Sequence, residues 1–335
     1  MNPPLVSICI PTYNRPEYLR RAVESCVKQT FTDWEIIITD NSTNNATAEM
    51  AATWTDPRIR YFKNEGNIGA TGSCNRAVSL VRGKYVYLLM DDDLAKPRMV
   101  ELMVKAFEKN PSVGVVMAPM ELIDADDKRI FPKFYLFRTM DYRYRYRVGD
   151  ALVERKQILR DFLTRDYPCC VPSGIMYRME ALRLGWPFGV EADFAGDLLL
   201  CMQIAVKWDY YYIDQSLSSW RFIPVGHTAS LHSSGLKTSV FYLVTRQILD
   251  DKTVKEMFAD EWKKFERDSI FFCSCRALIN GVAAIKSRSP RLFWATIRNI
   301  MREDGHLLNL LRLPFWAFGQ VWISVFPKKL PAPRE

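Results

Sequence analysis

The chain has 335 residues and is 48% hydrophobic, enough apolar side chain for one large α/β domain with an appendage, or for two domains. Its net charge of +8 is uneven: residues 128–168 hold eleven Lys/Arg against five Asp/Glu, and residues 286–335 hold nine against three. The chain lacks repeats and low-complexity tracts, and its eight cysteines are scattered, with Cys169-Cys170 adjacent and Cys273/Cys275 a lone C-x-C, so a solenoid, a disulfide framework and a zinc site are disfavoured and reduced thiols of a cytosolic protein are expected.

The first strand-like run, Leu5–Ile10, comes so early that no signal peptide is expected. Strand and helix then alternate: a helix from about Pro16 to Gln29, a strand over Glu35–Thr39, a helix over Ala46–Trp54, and a short strand at Arg58–Phe62. A helix over Ala70–Val81, a strand over Tyr85–Met90, a helix from Pro97 to about Lys109 and a strand over Val113–Met117 follow. This order predicts a mostly parallel sheet with right-handed crossovers, whose ligands sit at the carboxyl ends of the strands. The segments Pro11–Arg15, Asp40–Thr43, Lys63–Gly69 and Asp91–Asp93 should therefore converge on one edge.

Beyond residue 120 the pattern loosens. Tyr142–Arg147 alternates Tyr and Arg strictly, so as a strand it shows one aromatic and one basic face, either an edge that resists pairing or a surface for phosphate or acceptor. A helix over Val148–Leu163, a strand over Pro172–Met179, an amphipathic helix over Gly196–Trp208 and closing strands at Tyr210–Ile213 and Ser219–Phe222 follow. From about residue 231 the pattern is helical to the end. Residues 307–326 are long enough to span a bilayer, but Arg312, Pro314 and Gln320 favour a helix lying in the membrane interface, with packing on the protein or on a second copy of the chain as the alternative.

Three consecutive carboxylates, Asp91-Asp92-Asp93, stand at the end of the apolar run Lys84–Met90. They repel one another unless a positive group lies among them, and a hard divalent cation shared with a diphosphate meets that need. The bland alternative is a solvated acidic turn that caps the following helix. The basic zones suit phosphate or lipid headgroups, and no nucleic-acid motif accompanies them.

Several segments together resemble the family 2 glycosyltransferases. They are Val6–Arg15 (VSICIPTYNR), Gln29–Ser42 (QTFTDWEIIITDNS), Asn67-Ile-Gly, Asn75-Arg-Ala, and Gly83-Lys-Tyr-Val followed by Met90-Asp-Asp-Asp-Leu and Pro97. A second block, Trp186–Ala205, aligns without gaps on the segment of that family that ends in Glu-Asp before a helix, so the resemblance covers roughly residues 5–225. It implies a GT-A fold over residues 1–230, a nucleotide-sugar half to about 120 and an acceptor half beyond, with a helical region over 231–335. It also implies an inverting transferase that uses a nucleoside diphosphate sugar, Mn²⁺ or Mg²⁺, and a glycan or lipid-linked acceptor at the cytoplasmic membrane face.

By the same resemblance Pro11, Thr12, Arg15 and Asn67 border the nucleotide, Asp40 contacts the base, Asp91 the ribose, and Asp92 the metal with Asp93 as a further or supporting ligand. Asp197 is the catalytic base, with Asp193 its rival. Three departures accompany the match. Met90 stands where the longer acidic motif begins, Gly196 replaces the glutamate beside Asp197, and Arg221-Phe-Ile223 interrupts Arg-x-His, leaving His227 as the nearest histidine for the metal or diphosphate. An inactive nucleotide-sugar-binding relative and a sugar nucleotidyltransferase are the alternatives. A dinucleotide-binding oxidoreductase is disfavoured because Gly66–Gly72 follows the third strand, not the first.

Overall fold

The computed structural model describes residues 3–130, 149–165, 171–189, 195–223 and 237–273. Among these residues the core is an eight-stranded sheet in the order β3-β2-β1-β4-β9-β6-β10-β8. Its strands are β1 (Val6–Thr12), β2 (Trp34–Asp40), β3 (Ile59–Lys63), β4 (Tyr85–Leu88), β6 (Val113–Met117), β8 (Ala151–Val153), β9 (Ile175–Arg178) and β10 (Asp209–Tyr212). Six strands run in one direction, while β9, between β4 and β6, and β8, at the edge, run against them. Parallel strands covered on both faces need apolar residues at successive positions, and β1 and β2 provide them: Ile8, Cys9 and Ile10 and then Ile36, Ile37 and Ile38 are all fully buried.

The helices α1 (Pro16–Val27), α2 (Ala46–Ala51), α3 (Gly69–Ser79) and α4 (Met99–Lys109) make the crossovers. Each falls within a few residues of its sequence-based span. Beyond residue 120 the differences are larger. The helix expected over Val148–Leu163 is β8 followed by α5 (Arg155–Thr164), and the strand expected over Pro172–Met179 is β9 between a 3₁₀ turn and α6 (Met179–Leu182). Helix α7 (Gly196–Ala205) is enclosed rather than amphipathic, with Leu198, Leu200, Cys201, Met202, Ile204 and Ala205 all buried. A second sheet has three strands, β5 (Leu94–Ala95), β11 (Ser218–Arg221) and β7 (Met120–Ile123); β11 matches the closing strand expected at Ser219–Phe222, while β5 and β7 were not read from the sequence.

Two helices, α8 (Lys237–Leu249) and α9 (Lys252–Met257), follow the α/β part, and residues 262–273 are helical. Helix α8 packs on α7. Arg160 of α5 reaches the same region, donating from Nη1 to Glu261 at 3.1 Å and lying over the Phe258 and Phe265 rings. Among the described residues no helix is long and apolar enough to cross a membrane. The Tyr142–Arg147 run and residues 307–326 lie outside the described residues.

Candidate active site

Register builds the site. Thr12 pairs with Asp40 and Asp40 with Lys63, so the last residues of β1, β2 and β3 form a row across the sheet's carboxyl edge. Cys9 pairs with Leu88 on the other side of β1. Continuing that register three residues brings Thr12 opposite Asp91, where the Thr12 hydroxyl donates to Asp91 Oδ2 at 2.7 Å. The four segments expected to converge do so. Asn14 donates its amide to Ser42 Oγ at 2.8 Å, and Asn41 donates from Nδ2 to the Gly69 carbonyl at 2.9 Å. Asn14 has φ +53°, a left-handed conformation that asparagine tolerates better than most residues.

The aspartate run splits three ways. Asp91 is nearly buried, accepts from Thr12 and from the Tyr13 amide, and is raised to about 7 by burial and then by the charge of Asp92. Asp92 is more open and accepts from Arg15 Nη1 at 2.6 Å; the same nitrogen is 3.6 Å from Asp91 Oδ1. Asp93 points elsewhere. It is fully buried, its Oδ1 accepts the Arg221 amide at 2.9 Å, and Oδ2 is enclosed without a hydrogen-bond partner. Burial raises its carboxyl well above the usual range. Asp93 thus joins the turn to β11, a supporting position rather than one facing outward with Asp92. Nor does it cap the next helix, because α4 begins at Met99 with Arg98 at its cap and no capping side chain.

Asp40 also differs from expectation. It is fully buried, accepting from Tyr61 Oη at 2.6 Å and from the Ser42 amide at 2.7 Å. It is enclosed in this structure and braces the loop that follows β2. Pro11 is half-buried at the end of β1, and Asn67 is an exposed residue whose Oδ1 accepts the Gly69 amide at the start of α3.

Asp197 lies in the first turn of α7, where its Oδ1 accepts the Leu198 amide at 2.7 Å. Burial raises its carboxyl to about 6. Its charge adds to burial in pushing the Cys74 thiol of α3 up to about 12. Asn75 of α3 fixes the approach to α7, donating from Nδ2 to the Phe188 carbonyl at 3.0 Å and accepting the Phe188 amide at 2.8 Å. Among the described residues a Cβ added at Gly196 meets nothing within 4 Å. Asp193 and His227 lie outside the described residues.

Sequence reasoning missed three supports. Tyr61 orients Asp40, and period-two alternation on β3 already puts it on the face of Lys63. Ser173 accepts the Met90 amide at 3.1 Å and so holds the end of β4. Arg221, noted only as part of an interrupted motif, is a buried clamp. Its Nε donates to the Asp92 carbonyl at 2.8 Å and Nη1 to the Asp124 carbonyl at 2.5 Å, while Nη2 reaches Asp127.

Among the described residues no group of three or more His, Cys, Asp or Glu side chains is arranged to hold a metal. Asp92 and Asp91 suit a hard cation that takes its remaining oxygens from a diphosphate and water, not one caged by protein alone. A separate cavity of about 450 Å³, lined by Pro3, Leu5, Arg82, Lys84 and Arg178 among others, lies at the amino ends of the strands. Three of its cations are engaged, Arg82 with Glu35, Lys84 with Glu108 and Arg178 with the Val113 carbonyl.

A largely parallel sheet with an acidic turn at its carboxyl edge and a second, half-buried carboxylate, Asp197, at the start of α7 is the architecture of the GT-A class. The model of glycosyl transferase family 2 matches residues 7–185, and the chain belongs to that family. An uncharacterised glycosyltransferase of Methanocaldococcus jannaschii is 34% identical over 170 residues, 48% of this chain and 59% of that protein. Chondroitin synthase of Escherichia coli is 37% identical over 129 residues, 38% of this chain and 19% of that protein. The chain thus spans well under two thirds of either relative. In fold it is similar to S. aureus TarS 1–349 in complex with UDP-GlcNAc (TM-score 0.57, 15% identity, 92% of this chain and 93% of that one). It is also similar to the Pyrobaculum calidifontis mannosyltransferase in complex with GDP-Man and Mn²⁺ (TM-score 0.55, 14% identity, 98% and 89%).

Proposed function

We propose that this chain transfers a sugar from a nucleoside diphosphate sugar to an acceptor hydroxyl, with inversion, in a single displacement. The observation that carries this reading is the pairing of the first loop with the aspartate turn, Thr12 on Asp91 and Arg15 on Asp92, at the carboxyl edge of a sheet of this family. Asp91 lies where a ribose would sit, and Asp92 offers the more open carboxylate to a divalent metal, Mn²⁺ or Mg²⁺. Such an ion supplies charge neutralisation for the departing diphosphate. The exposed ring of Tyr13, 44% accessible beside Asp91, provides a face on which a base can stack. Asp40, through Ser42 and Tyr61, and Asp93, through Arg221, hold the two loops in place.

Asp197 is the base. A carboxylate raised to about 6 is ionised at neutral pH, yet basic enough to take a proton from an acceptor hydroxyl as it attacks the anomeric carbon. Relatives named for chondroitin and colanic acid synthesis support a glycan acceptor, and a lipid-linked one at a membrane surface fits the basic, aromatic carboxyl-terminal sequence. Donor hydrolysis tests the reading: UDP-, GDP- and dTDP-sugars are screened with Mn²⁺ or Mg²⁺, with Asp92→Asn and Asp197→Asn as controls. Hydrolysis of one donor that Asp92→Asn abolishes supports it. Hydrolysis of none, or full transfer by Asp197→Asn, overturns it or its base.

A further inference from the structure

We propose that Arg15 is an exchangeable counter-cation: before the divalent ion binds it holds that ion's place on Asp92, beside Asp91, and it is released to the donor's diphosphate when the ion binds. The inference rests on the metal and donor placement proposed above. One guanidinium nitrogen, Nη1, stands 2.6 Å from Asp92 Oδ2 and 3.6 Å from Asp91 Oδ1, between the two carboxylates. Asp92 is the more open of the two carboxylates, and a charge-assisted bond of this length occupies its Oδ2. Two positive charges a few ångströms apart in a half-buried site repel strongly, so the arginine and a divalent ion exclude each other there.

The arginine is free to make this exchange while its loop stays still. Asn14 is pinned on both sides, through its amide to Ser42 and through its side chain to Thr43. Pro16, with its restricted backbone, opens α1 directly after Arg15. The Arg15 side chain is 32% exposed and makes no other ion pair among the described residues. Only its rotamer has to change. Once displaced, it lies at the same edge as the diphosphate, where a fork of N–H donors suits phosphate oxygens. Metal and diphosphate binding are then reciprocally coupled, each removing the competitor of the other.

The test measures Mn²⁺ binding, with no nucleotide, to the full chain and to Arg15→Met and Arg15→Lys. Arg15→Met is expected to bind Mn²⁺ about tenfold more tightly than the unmodified protein, and Arg15→Lys close to it. Mn²⁺ should raise the melting temperature of Arg15→Met more than that of the unmodified chain, by mass action. Equal, weaker or absent Mn²⁺ binding in Arg15→Met overturns the proposal. So does tightening that Arg15→Lys shares, or that survives a second change, Asp92→Asn. Pyrophosphate with Mn²⁺ tests the release step: Arg15→Met should bind it about tenfold more weakly, and unchanged binding overturns that step. Donor hydrolysis by the unmodified protein decides glycosyl transfer separately, so the two ideas fail on different measurements.

Discussion

Asp197 is where a single residue's environment makes its sharpest statement. Only its ionised form accepts a proton, so kcat is expected to rise through about pH 6 and level off above it. Asp197→Asn should lower kcat by about 10²–10⁴ and remove that limb of the profile. Stability runs the opposite way. The folded carboxyl lies above its unfolded value of about 4, so its contribution is present below that pH and is lost as pH rises through about 6. The unligated Asn variant should thus be more stable than the unmodified chain at pH 7, by on the order of 1 kcal/mol, and show less advantage at pH 4. Thermal melts at the two pH values check the sign. At the neighbouring position the open space supports Gly196→Glu, which removes a helical glycine and adds an acid to a first turn. A gain of about 0.5–1 kcal/mol is expected, and a loss measured by denaturant unfolding would mean the space is filled.

Single side chains also join whole elements. Arg221 ties β11 to the aspartate turn and to the Asp124–Asp127 turn with every part of its guanidinium. Arg221→Met takes one donor each from two carbonyls and a carboxylate, which should cost about 2–4 kcal/mol and weaken donor binding more than Arg221→Lys does. Equal donor affinity in both variants would show that the clamp does not shape the turn. Asn75 joins α3 to the strand of chain entering α7. Asn75→Ala breaks two bonds to Phe188 and should cost about 1–3 kcal/mol, with faster proteolytic cleavage near residues 186–195; an unchanged digest would count against the strap. Elements are also where sequence and structure part. Runs of three or more buried apolar residues, as in β1, β2, β4 and β6, were readable because a covered parallel strand needs them. The two-residue β5 and three-residue β8 were not.

At the scale of the molecule the charge distribution and the carboxyl-terminal sequence belong together. A chain of +8 whose last fifty residues carry nine cations and a run of aromatics should bind vesicles containing anionic lipid, with affinity falling as salt rises. Deleting residues 305–335 should reduce the fraction that co-sediments with such vesicles; an unchanged fraction removes the membrane from the picture. The helices α8 and α9 and residues 262–273 support the catalytic part instead, since α8 packs on the helix of Asp197 and Arg160 reaches Glu261. The site was legible at the same scale. Thr12, Asp40, Asp91 and Asp92 follow the ends of apolar runs, and parallel pairing carries such ends to one edge.

What the sequence by itself determined was therefore the order of strands and helices, the edge on which the acidic residues gather, and the family. All three follow from local runs of side chains and short motifs, which pairing within a few residues of chain already constrains. Only the tertiary structure decided what each acid does at that edge. Whether a carboxylate is open like Asp92, enclosed like Asp40 and Asp93, or raised by burial like Asp197 depends on partners 21 to 128 residues away, Tyr61 on Asp40 and Arg221 on Asp93 among them. No local pattern encodes those distances; packing sets them, and packing sets the charge each group carries.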